Sequence, residues 1–335
     1  MSTAALRSFA KINLGLKIGP LRVDGFHELR TIYQTIALHD IVHVEVAEGE
    51  GIEIRCNDPR VPCDATNTCY KIAERVLQAT GKRSQVVITI DKQLPVQGGM
   101  GAASSNAVAA MLGLERALGI ELPLSEKLRI AAEVGSDLPL FLIGGTVLGV
   151  DRGQEVAALQ DLPEMSLVVV TPPIGVPTPK AFAQWDALMA SERALTDPSA
   201  AGTMKEPNQA ASAWLSETLL SQVRPAEGPA SGVPAAGGDR AEIPLLDLVR
   251  TGIENDFERV VFPEYPELCE VKNVLQREGA RYASLSGSGS TLYGLFESAS
   301  AAEAAAERMR AAGHVAVATR TVGRAEYWEQ LAASN

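Results

Sequence analysis

The stretch LPVQGGMGAASSNAV, residues 94–108, places a glycine-rich loop directly in front of an apolar helix. Three glycines, Gly98, Gly99 and Gly101, precede the adjacent serines Ser104 and Ser105. Glycine lets a ligand approach the backbone closely, and the first amides of a helix have no partner within it. Such a loop is typical of a phosphate site, although a tight strand-to-helix turn without a ligand has the same glycine content.

The better-known phosphate motifs do not describe this loop. No Gly-Lys-Ser/Thr ends it, as a Walker A loop requires, and Ser104 stands where a Rossmann loop has its third glycine. The usual catalytic loop of eukaryotic-type protein kinases is also missing from the sequence. The hydroxyls of Ser104 and Ser105 could bind a phosphate oxygen or a magnesium ion. The loop therefore indicates a nucleotide triphosphate site of another lineage.

Regular patterns extend on both sides of the loop. SQVVITIDKQLP predicts a strand that leads into it, and NAVAAMLGLERALG predicts a buried helix that ends at Gly119. A further helix is predicted from Asn67 to Thr80, and another over LSEKLRIAAEVG with Ser125 as its N-cap. These helices alternate with β-like segments, and the fold class that we expect for the chain is α+β.

The length of 335 residues favours two domains over one. A Pro-rich stretch after residue 160 indicates a boundary, so we expect domains at 1–160 and 161–335. Residues 191–240 shift to Ala, Pro, Ser and Gly, which predicts a mobile insertion in the second domain.

Composition and charge exclude several classes of function. The net charge of −11 disfavours a nucleic-acid-binding surface, which needs a basic stripe. No stretch reaches the roughly 18 uninterrupted apolar residues of a membrane span, and the amino terminus lacks a secretory signal design. We therefore expect a cytoplasmic protein that acts as a monomer or weak homodimer. The four cysteines lack Cys-x-x-Cys pairs, which favours reduced thiols over a zinc site.

Two charged residues are candidates for chemistry, Lys11 and Asp137. Alternating apolar residues predict that Lys11 and Asn13 share one face of the first strand. Taken singly, Lys11 is explained as a solvated strand residue and Asp137 as a helix N-cap. Together they admit phosphoryl transfer, with the carboxylate taking a hydroxyl proton while the lysine stabilises the transferred phosphate. The glycines of a later stretch, SLSGSGSTL, fit either a hairpin turn or the far wall of the same cleft.

Three blocks of the sequence resemble the GHMP small-molecule kinases, named for galactokinase, homoserine kinase, mevalonate kinase and phosphomevalonate kinase. They are SFAKINLGL (8–16), LPVQGGMGAASSNAV (94–108) and SLSGSGSTLYGLF (284–296), and they occur in the family's order. The resemblance implies a two-domain GHMP kinase fold, with an N-terminal domain like domain 2 of ribosomal protein S5 and a GHMP C-terminal domain. It implies a kinase that uses ATP and Mg²⁺ on a small alcohol.

A narrower resemblance rests on AKINL (10–14), DGFHEL (24–29) and GSDLP (135–139). In these motifs the chain is similar to one member of the family, which phosphorylates a tertiary hydroxyl on a cytidyl-linked alcohol in isoprenoid precursor synthesis. The alternatives are another GHMP kinase with a different acceptor, and a nucleotide-binding protein without catalysis.

The resemblance also implies roles for individual residues. Lys11 and Asp137 would be the catalytic pair, with Asp137 as base, and Ser105 would be a magnesium ligand. ATP would contact Asn67, Lys92, Pro95, Val96, Gln97, Gly98, Gly99, Met100, Gly101, Ala102, Ala103, Ser104 and Ser105. The acceptor would contact Asn13, Phe26, His27, Thr178, Phe182, Gly287 and Gly289.

Two features depart from the family pattern. Ala102 and Ala103 stand where such kinases often have glycine, so alanine would strain the loop if either position required a positive φ. Phe26 replaces a common tyrosine and loses one hydroxyl.

Overall fold

The structure, a computed structural model, describes residues 2–96, 98–195, 209–220 and 252–333. Its first six strands form one sheet, in which β2 pairs with β1 along one edge and with both β4 and β5 along the other. All pairs are antiparallel except β3 with β4. The strands are β1 (Ser2–Leu21), β2 (His27–Ala47), β3 (Gly51–Cys56), β4 (Gln85–Asp91), β5 (Thr146–Val150) and β6 (Glu155–Ala158).

Four helices accompany this sheet. They are α1 (Thr68–Thr80), α2 (Ala102–Leu118), α3 (Leu124–Val134) and α4 (Leu138–Phe141). Asn67 caps α1 by accepting a hydrogen bond from the amide of Cys69, and Gly81 and Gly119 end α1 and α2 in the left-handed conformation. The predicted ends of both helices are thus confirmed. The N-cap predicted at Ser125 is wrong, because α3 already begins at Leu124.

A second, four-stranded antiparallel sheet follows in the order β10-β7-β9-β8. Its strands are β7 (Ser166–Val170), β8 (Tyr282–Leu285), β9 (Leu292–Phe296) and β10 (Ala316–Arg320). The helices of this half are α5 (Thr178–Leu195), α6 (Gln209–Leu220), α7 (Glu258–Glu264), α8 (Pro266–Arg277) and α9 (Ala299–Ala311). A last helix, α10 (Arg324–Gln330), returns to the first half, where Tyr327 joins the core.

The boundary predicted near residue 160 falls between β6 and β7, and the division into domains remains a prediction. The predicted insertion at 191–240 lies largely outside the described residues. Within it the structure describes only 191–195, at the end of α5, and 209–220, which form α6.

The two halves share a core cluster that includes Ile12 and Ile32 from the first sheet and Leu167 and Tyr293 from the second. Contacts with the second half bury β1 on both faces, since Ile12 and Asn13 are each at most 1% exposed. The core therefore fixes β1 between the two sheets. In the part of the chain that the structure describes, no helix is both long and apolar enough to cross a membrane.

Candidate active site

The glycine loop before α2 contains two residues in the left-handed region, Gly99 at φ 81° and Gly101 at φ 68°. A Cβ at Gly99 would collide with the carbonyl oxygen of Ser286, and one at Gly101 would lie 3.0 Å from Cζ of Phe141. The backbone conformation and the lack of space both require glycine at these positions. Ala102 already belongs to α2.

The strain considered for Ala102 and Ala103 therefore does not arise. Both residues are helical, and among the described residues other than glycine only Asp151 has a positive φ. The left-handed positions of the loop are Gly99 and Gly101, and both are still glycine in this sequence.

The start of α2 presents backbone amides. The carbonyl oxygen of Gly101 accepts a hydrogen bond from the amide of Ser105 at 2.9 Å, which is the first bond of this helix. The amides of Ala102, Ala103 and Ser104 thus have no partner within the helix, and the positive end of its dipole lies behind them. This is an arrangement that binds anions.

A cavity of about 350 Å³, here called the first cavity, opens over these amides. Ser104 lines it, whereas Ser105 is only 2% exposed and is not part of the lining. Gln97 lies outside the described residues. The residues of the predicted ATP site that do line the first cavity are Asn67, Lys92, Pro95, Val96, Gly98, Gly99, Met100, Gly101, Ala102, Ala103 and Ser104.

Lys92 is held inside the protein. Its Nζ donates to Oδ2 of Asp40 and to the carbonyl oxygen of Leu94, each at 2.7 Å. Asp40 is fully buried and also accepts the amides of Gln93 and Leu94, both at 2.7 Å. The ion pair therefore holds the backbone that leads into the glycine loop. Sequence reasoning missed Asp40, whose only signal is a carboxylate within an apolar strand.

The side chain of Asn67 also forms its hydrogen bonds within the protein. Its side-chain oxygen accepts the amide of Cys69 at 2.8 Å, and its Nδ2 donates to the carbonyl oxygen of Pro62 at 2.6 Å. The side chain shapes one wall of the first cavity while its polar atoms bond within the protein.

The second glycine motif, between β8 and β9, packs directly on the first loop. A Cβ on Gly289 would lie 2.7 Å from the amide nitrogen of Gly99. The Ser286 hydroxyl donates to the carbonyl oxygen of Gly99 at 3.1 Å, and the amide of Thr291 donates to that of Gly98 at 3.2 Å. The second motif thus supports the first loop through backbone contacts.

Lys11 and Asp137, which come from distant parts of the chain, meet in the structure. Nζ of Lys11 lies 3.3 Å from Oδ2 of Asp137 and donates to Oδ1 of Asn13 at 2.7 Å. Lys11 is 3% exposed, so its interpretation as a solvated strand residue is wrong. Asp137 stands at the cap position of α4 but its side chain makes no capping hydrogen bond. The carboxylate is therefore free to face a cavity.

Tyr33 is a third member of this group, and sequence reasoning missed it. Its hydroxyl donates to Oδ1 of Asp137 at 3.1 Å, and its ring lies 5.4 Å from Nζ of Lys11. Burial, followed by the negative charge of Asp137 and this hydrogen bond, raises the pKa of Tyr33 well above 10. The phenol therefore stays protonated near neutral pH and remains a hydrogen-bond donor to Asp137.

A larger cavity of about 650 Å³, here called the second cavity, extends from this group. Lys11 and Asp137 line it, as do Gly99 and Gly101, which also line the first cavity. The glycine loop thus separates the two spaces. A phosphoryl group held at the loop would be adjacent to the carboxylate of Asp137.

The predicted aromatic residues line the same second cavity. The rings of His27 and Phe182 stack with centroids 5.2 Å apart and an interplanar angle of 9°, while Phe26 is 51% exposed. Nδ1 of His27 donates to the carbonyl oxygen of Gly19 at 3.0 Å. Its Nε2 lies 3.1 Å from Oδ1 of Asp186 without forming a hydrogen bond with a described residue.

The structure brings most of the other predicted acceptor residues to this cavity. Asn13, Thr178 and Gly287 line it, and the Thr178 hydroxyl lies 2.8 Å from that of Ser288. Gly289 is not part of the lining because it packs against the first loop. Sequence reasoning missed Asp186 and Arg152, which also line the cavity.

Within the described ranges, no group of three or more His, Cys, Asp or Glu side chains is arranged to hold a metal ion.

Comparison with known proteins identifies the class of enzyme. Residues 67–145 match the family model for the GHMP kinases N terminal domain, and residues 243–315 match that for the GHMP kinases C terminal. The chain is 34% identical over 313 residues to 4-diphosphocytidyl-2-C-methyl-D-erythritol kinase of Acaryochloris marina, covering 93% of both chains. The protein therefore belongs to the GHMP kinase family and is a small-molecule kinase.

One further relative and two solved structures are also similar to the chain. The chain is 33% identical to the 4-diphosphocytidyl-2-C-methyl-D-erythritol kinase of Synechococcus elongatus, over 93% of this chain and 92% of the relative. A crystal structure of 4-(cytidine 5'-diphospho)-2C-methyl-D-erythritol kinase aligns with a TM-score of 0.67 at 28% identity, covering 95% of this chain and 99% of that one. The L. major mevalonate kinase in complex with R-mevalonate shares the fold, with a TM-score of 0.64 at 17% identity over 96% and 99% of the two chains. The family and fold class predicted from the sequence are confirmed.

Proposed function

We propose that this protein transfers the γ-phosphoryl group of ATP to the 2-hydroxyl of 4-diphosphocytidyl-2-C-methyl-D-erythritol, a step of the non-mevalonate route to isoprenoid precursors. The observation that carries the proposal is the contact of Lys11 with Asp137 at 3.3 Å. It lies where the second cavity meets the glycine loop. The acceptor is chosen from the names of the relatives and from the volume and lining of the second cavity.

The first cavity suits the triphosphate of ATP. The unpartnered amides at the start of α2 line it together with the side-chain-free backbone of Gly99 and Gly101, which allows a phosphate to approach closely. Among the residues that the structure describes, none with a carboxylate lines the first cavity. Mg²⁺ would therefore be held mainly by phosphate oxygens and water, with the Ser104 hydroxyl as the protein ligand in place of the buried Ser105. Bound there, it would neutralise charge on the phosphates.

The second cavity suits a cytidyl-linked alcohol. Its volume of about 650 Å³ is in the range of small-molecule sites. The exposed ring of Phe26 and the half-buried ring of Phe182 offer flat apolar faces to a pyrimidine, and the buried ring of His27 supports Phe182 by stacking on it. The alcohol at the other end of the acceptor would then reach Asp137.

Four side chains of the catalytic group have separate roles. Asp137 takes the proton of the acceptor hydroxyl at its carboxylate, which lies within hydrogen-bond reach of the neighbouring donors. Lys11 places a positive charge beside the carboxylate and beside the glycine loop, where charge develops during transfer. Tyr33 and Asn13 orient the pair through hydrogen bonds of 3.1 Å and 2.7 Å. Positioning and charge stabilisation supply most of the acceleration in such reactions.

A panel of alcohols tests this function. The purified protein is incubated with Mg²⁺-ATP and one alcohol at a time, and ADP release is measured. The alcohols are 4-diphosphocytidyl-2-C-methyl-D-erythritol, mevalonate, homoserine and galactose. We expect the highest kcat/KM with the cytidyl compound. A higher value with another alcohol would instead identify a different GHMP kinase. ATP binding by calorimetry without turnover of any alcohol would identify a nucleotide-binding protein that lacks catalysis.

The protein is further proposed to act in the cytoplasm as a monomer or weak homodimer that binds neither nucleic acid nor membrane. The net charge of −11 supports this view, because it repels polyanions. Sedimentation velocity at micromolar concentration measures the oligomeric state, and a stable larger assembly would contradict it.

A further inference from the structure

Arg152 is a cation of the second cavity that the catalytic group does not use. Among the described residues that line that cavity, Lys11 and Arg152 are the only lysine or arginine. Lys11 already contacts Asp137 and Asn13. The guanidinium of Arg152 is therefore the positive charge that is available to a ligand.

The guanidinium of Arg152 makes one close contact. It lies 4.9 Å from the ring centroid of Phe26. The carboxylates of Asp24 and Asp151 pair with Arg22, and the charge of Arg152 acts on Asp24 only without direct contact. Within the described part of the chain, the guanidinium forms neither a hydrogen bond nor an ion pair with another side chain. Its donors are thus free to face the cavity.

The backbone around Arg152 is held in an unusual conformation. Asp151, the preceding residue, has φ 62°, which costs energy for a residue with a side chain. Its carbonyl oxygen accepts the amide of Leu29 at 2.5 Å, and its carboxylate binds Arg22. These contacts join the turn between β5 and β6 to the loop that carries Phe26. They fix the turn that carries Arg152, which lines the cavity.

The proposed acceptor carries a diphosphate between its two ends. This group must enter a cavity that already contains the carboxylates of Asp137 and Asp186, in a protein of net charge −11. A guanidinium offers parallel donors that match two phosphate oxygens, and its face can stay stacked on an aromatic ring at the same time. No other lining side chain combines these properties.

We infer that Arg152 binds the diphosphate of the acceptor and thereby makes the site select diphosphate-linked cytidyl alcohols over uncharged ones. This inference rests on the proposed function, since it concerns the same acceptor. The start of α5, at Thr178, and the loop at Ser288 also line the cavity. They could hold the diphosphate in place of Arg152, and the experiment separates the two arrangements.

The test compares binding of cytidine 5'-diphosphate and of cytidine by calorimetry, together with the kinetics of the cytidyl acceptor. Arg152→Gln removes the charge, and Arg152→Lys keeps it without the guanidinium fork. Arg83→Gln removes a charge from an exposed pair with Glu50, outside both cavities, and is the matched control. Thermal melts confirm that each variant is folded.

In Arg152→Gln we expect the affinity for cytidine 5'-diphosphate to fall roughly tenfold or more, with cytidine binding within twofold of the wild type. The KM for the acceptor should rise by a similar factor with little change in kcat or in the KM for ATP. Arg152→Lys should recover part of the loss, and Arg83→Gln should resemble the wild type.

Three results would overturn the inference. The first is that Arg152→Gln leaves both affinities unchanged, which would assign the diphosphate to α5 and the loop at Ser288. The second is that it weakens both ligands equally, which would mean that Arg152 only positions Phe26. The third is a wild type that binds the diphosphate no better than cytidine. A wild type that prefers the diphosphate but turns over no acceptor would instead contradict the proposed function alone.

Discussion

Gly289 packs its backbone against that of Gly99 so closely that a Cβ on Gly289 would lie 2.7 Å from the amide nitrogen of Gly99. One residue follows β8 in the second half of the protein, and the other belongs to the loop before α2. The two glycine motifs of the sequence are therefore one structural unit. The second motif fixes the position of the loop that lines both cavities.

Replacing Gly289 with alanine should disturb this unit. Gly289 does not have a positive φ, so the effect should come from the collision with the backbone of Gly98 and Gly99 and not from backbone strain. Overpacking of this kind costs about 1–3 kcal/mol, and we expect the KM for ATP to rise roughly tenfold. Gly175→Ala is the control, because a Cβ there meets nothing within 4 Å. Equal KM values in the two variants would show that the contact does not position the loop.

The ion pair of Lys92 with Asp40 predicts a loss of stability. Lys92→Met leaves the carboxylate of Asp40 buried without its cation, which costs about 3–5 kcal/mol. The free energy of unfolding in urea measures this loss. Lys180→Met, which breaks an exposed pair with Glu264, should show no measurable loss. A Lys92 variant of wild-type stability with a raised KM for ATP would identify Lys92 as a direct nucleotide contact instead.

The hydroxyl of Tyr33 predicts a change in kcat. Tyr33→Phe removes the donor to Asp137 while keeping the ring beside Lys11. A hydrogen bond to a charged group is worth about 1.5–3 kcal/mol, so we expect kcat to fall roughly tenfold or more. The KM for ATP should not change, because Tyr33 does not line the first cavity. Steady-state kinetics with both substrates would contradict this role if kcat were unaltered.

The buried tyrosines predict instability in alkali. Burial raises the pKa of Tyr293 well above 10, and its hydroxyl donates to the carbonyl oxygen of Asn13 at 2.8 Å. Above pH 10 the unfolded chain loses this proton while the folded chain keeps it. The unfolded state then binds fewer protons, so the free energy of unfolding falls as the pH rises. The stabilisation is fully present below pH 10.

Tyr293→Phe isolates this contribution. Above pH 10, the fall in the free energy of unfolding should become shallower, by at most about 1.4 kcal/mol per pH unit. Denaturant titrations at several pH values provide the measurement. An identical slope in the variant and the wild type would mean that Tyr293 ionises equally in both states.

The sequence allowed the local parts of the site to be predicted. Glycine, a preceding strand and an apolar helix defined the loop, and alternation placed Lys11 and Asn13 on one strand face. Asn67 and Gly81 marked the ends of α1, because capping depends on a few adjacent residues. These features depend on short-range geometry, which a sequence displays directly.

Long-range contacts could not be predicted in this way. Alternation in β1 indicated one exposed face, but the second half of the protein covers it and buries Lys11. Tyr33 resembled any aromatic residue of a strand until the fold brought it to Asp137. Arg152 resembled a surface cation in a turn. Their partners lie far away along the chain, and only the packed structure brings them together.

The central claim is that Asp137 is the base of a phosphoryl transfer beside Lys11. The kcat of Asp137→Asn with ATP and 4-diphosphocytidyl-2-C-methyl-D-erythritol tests it most directly, since the amide keeps the shape of the side chain without its charge. We expect kcat to fall roughly a hundredfold or more, with the thermal stability and the affinity for ATP retained. A folded variant with the kcat of the wild type would contradict the claim.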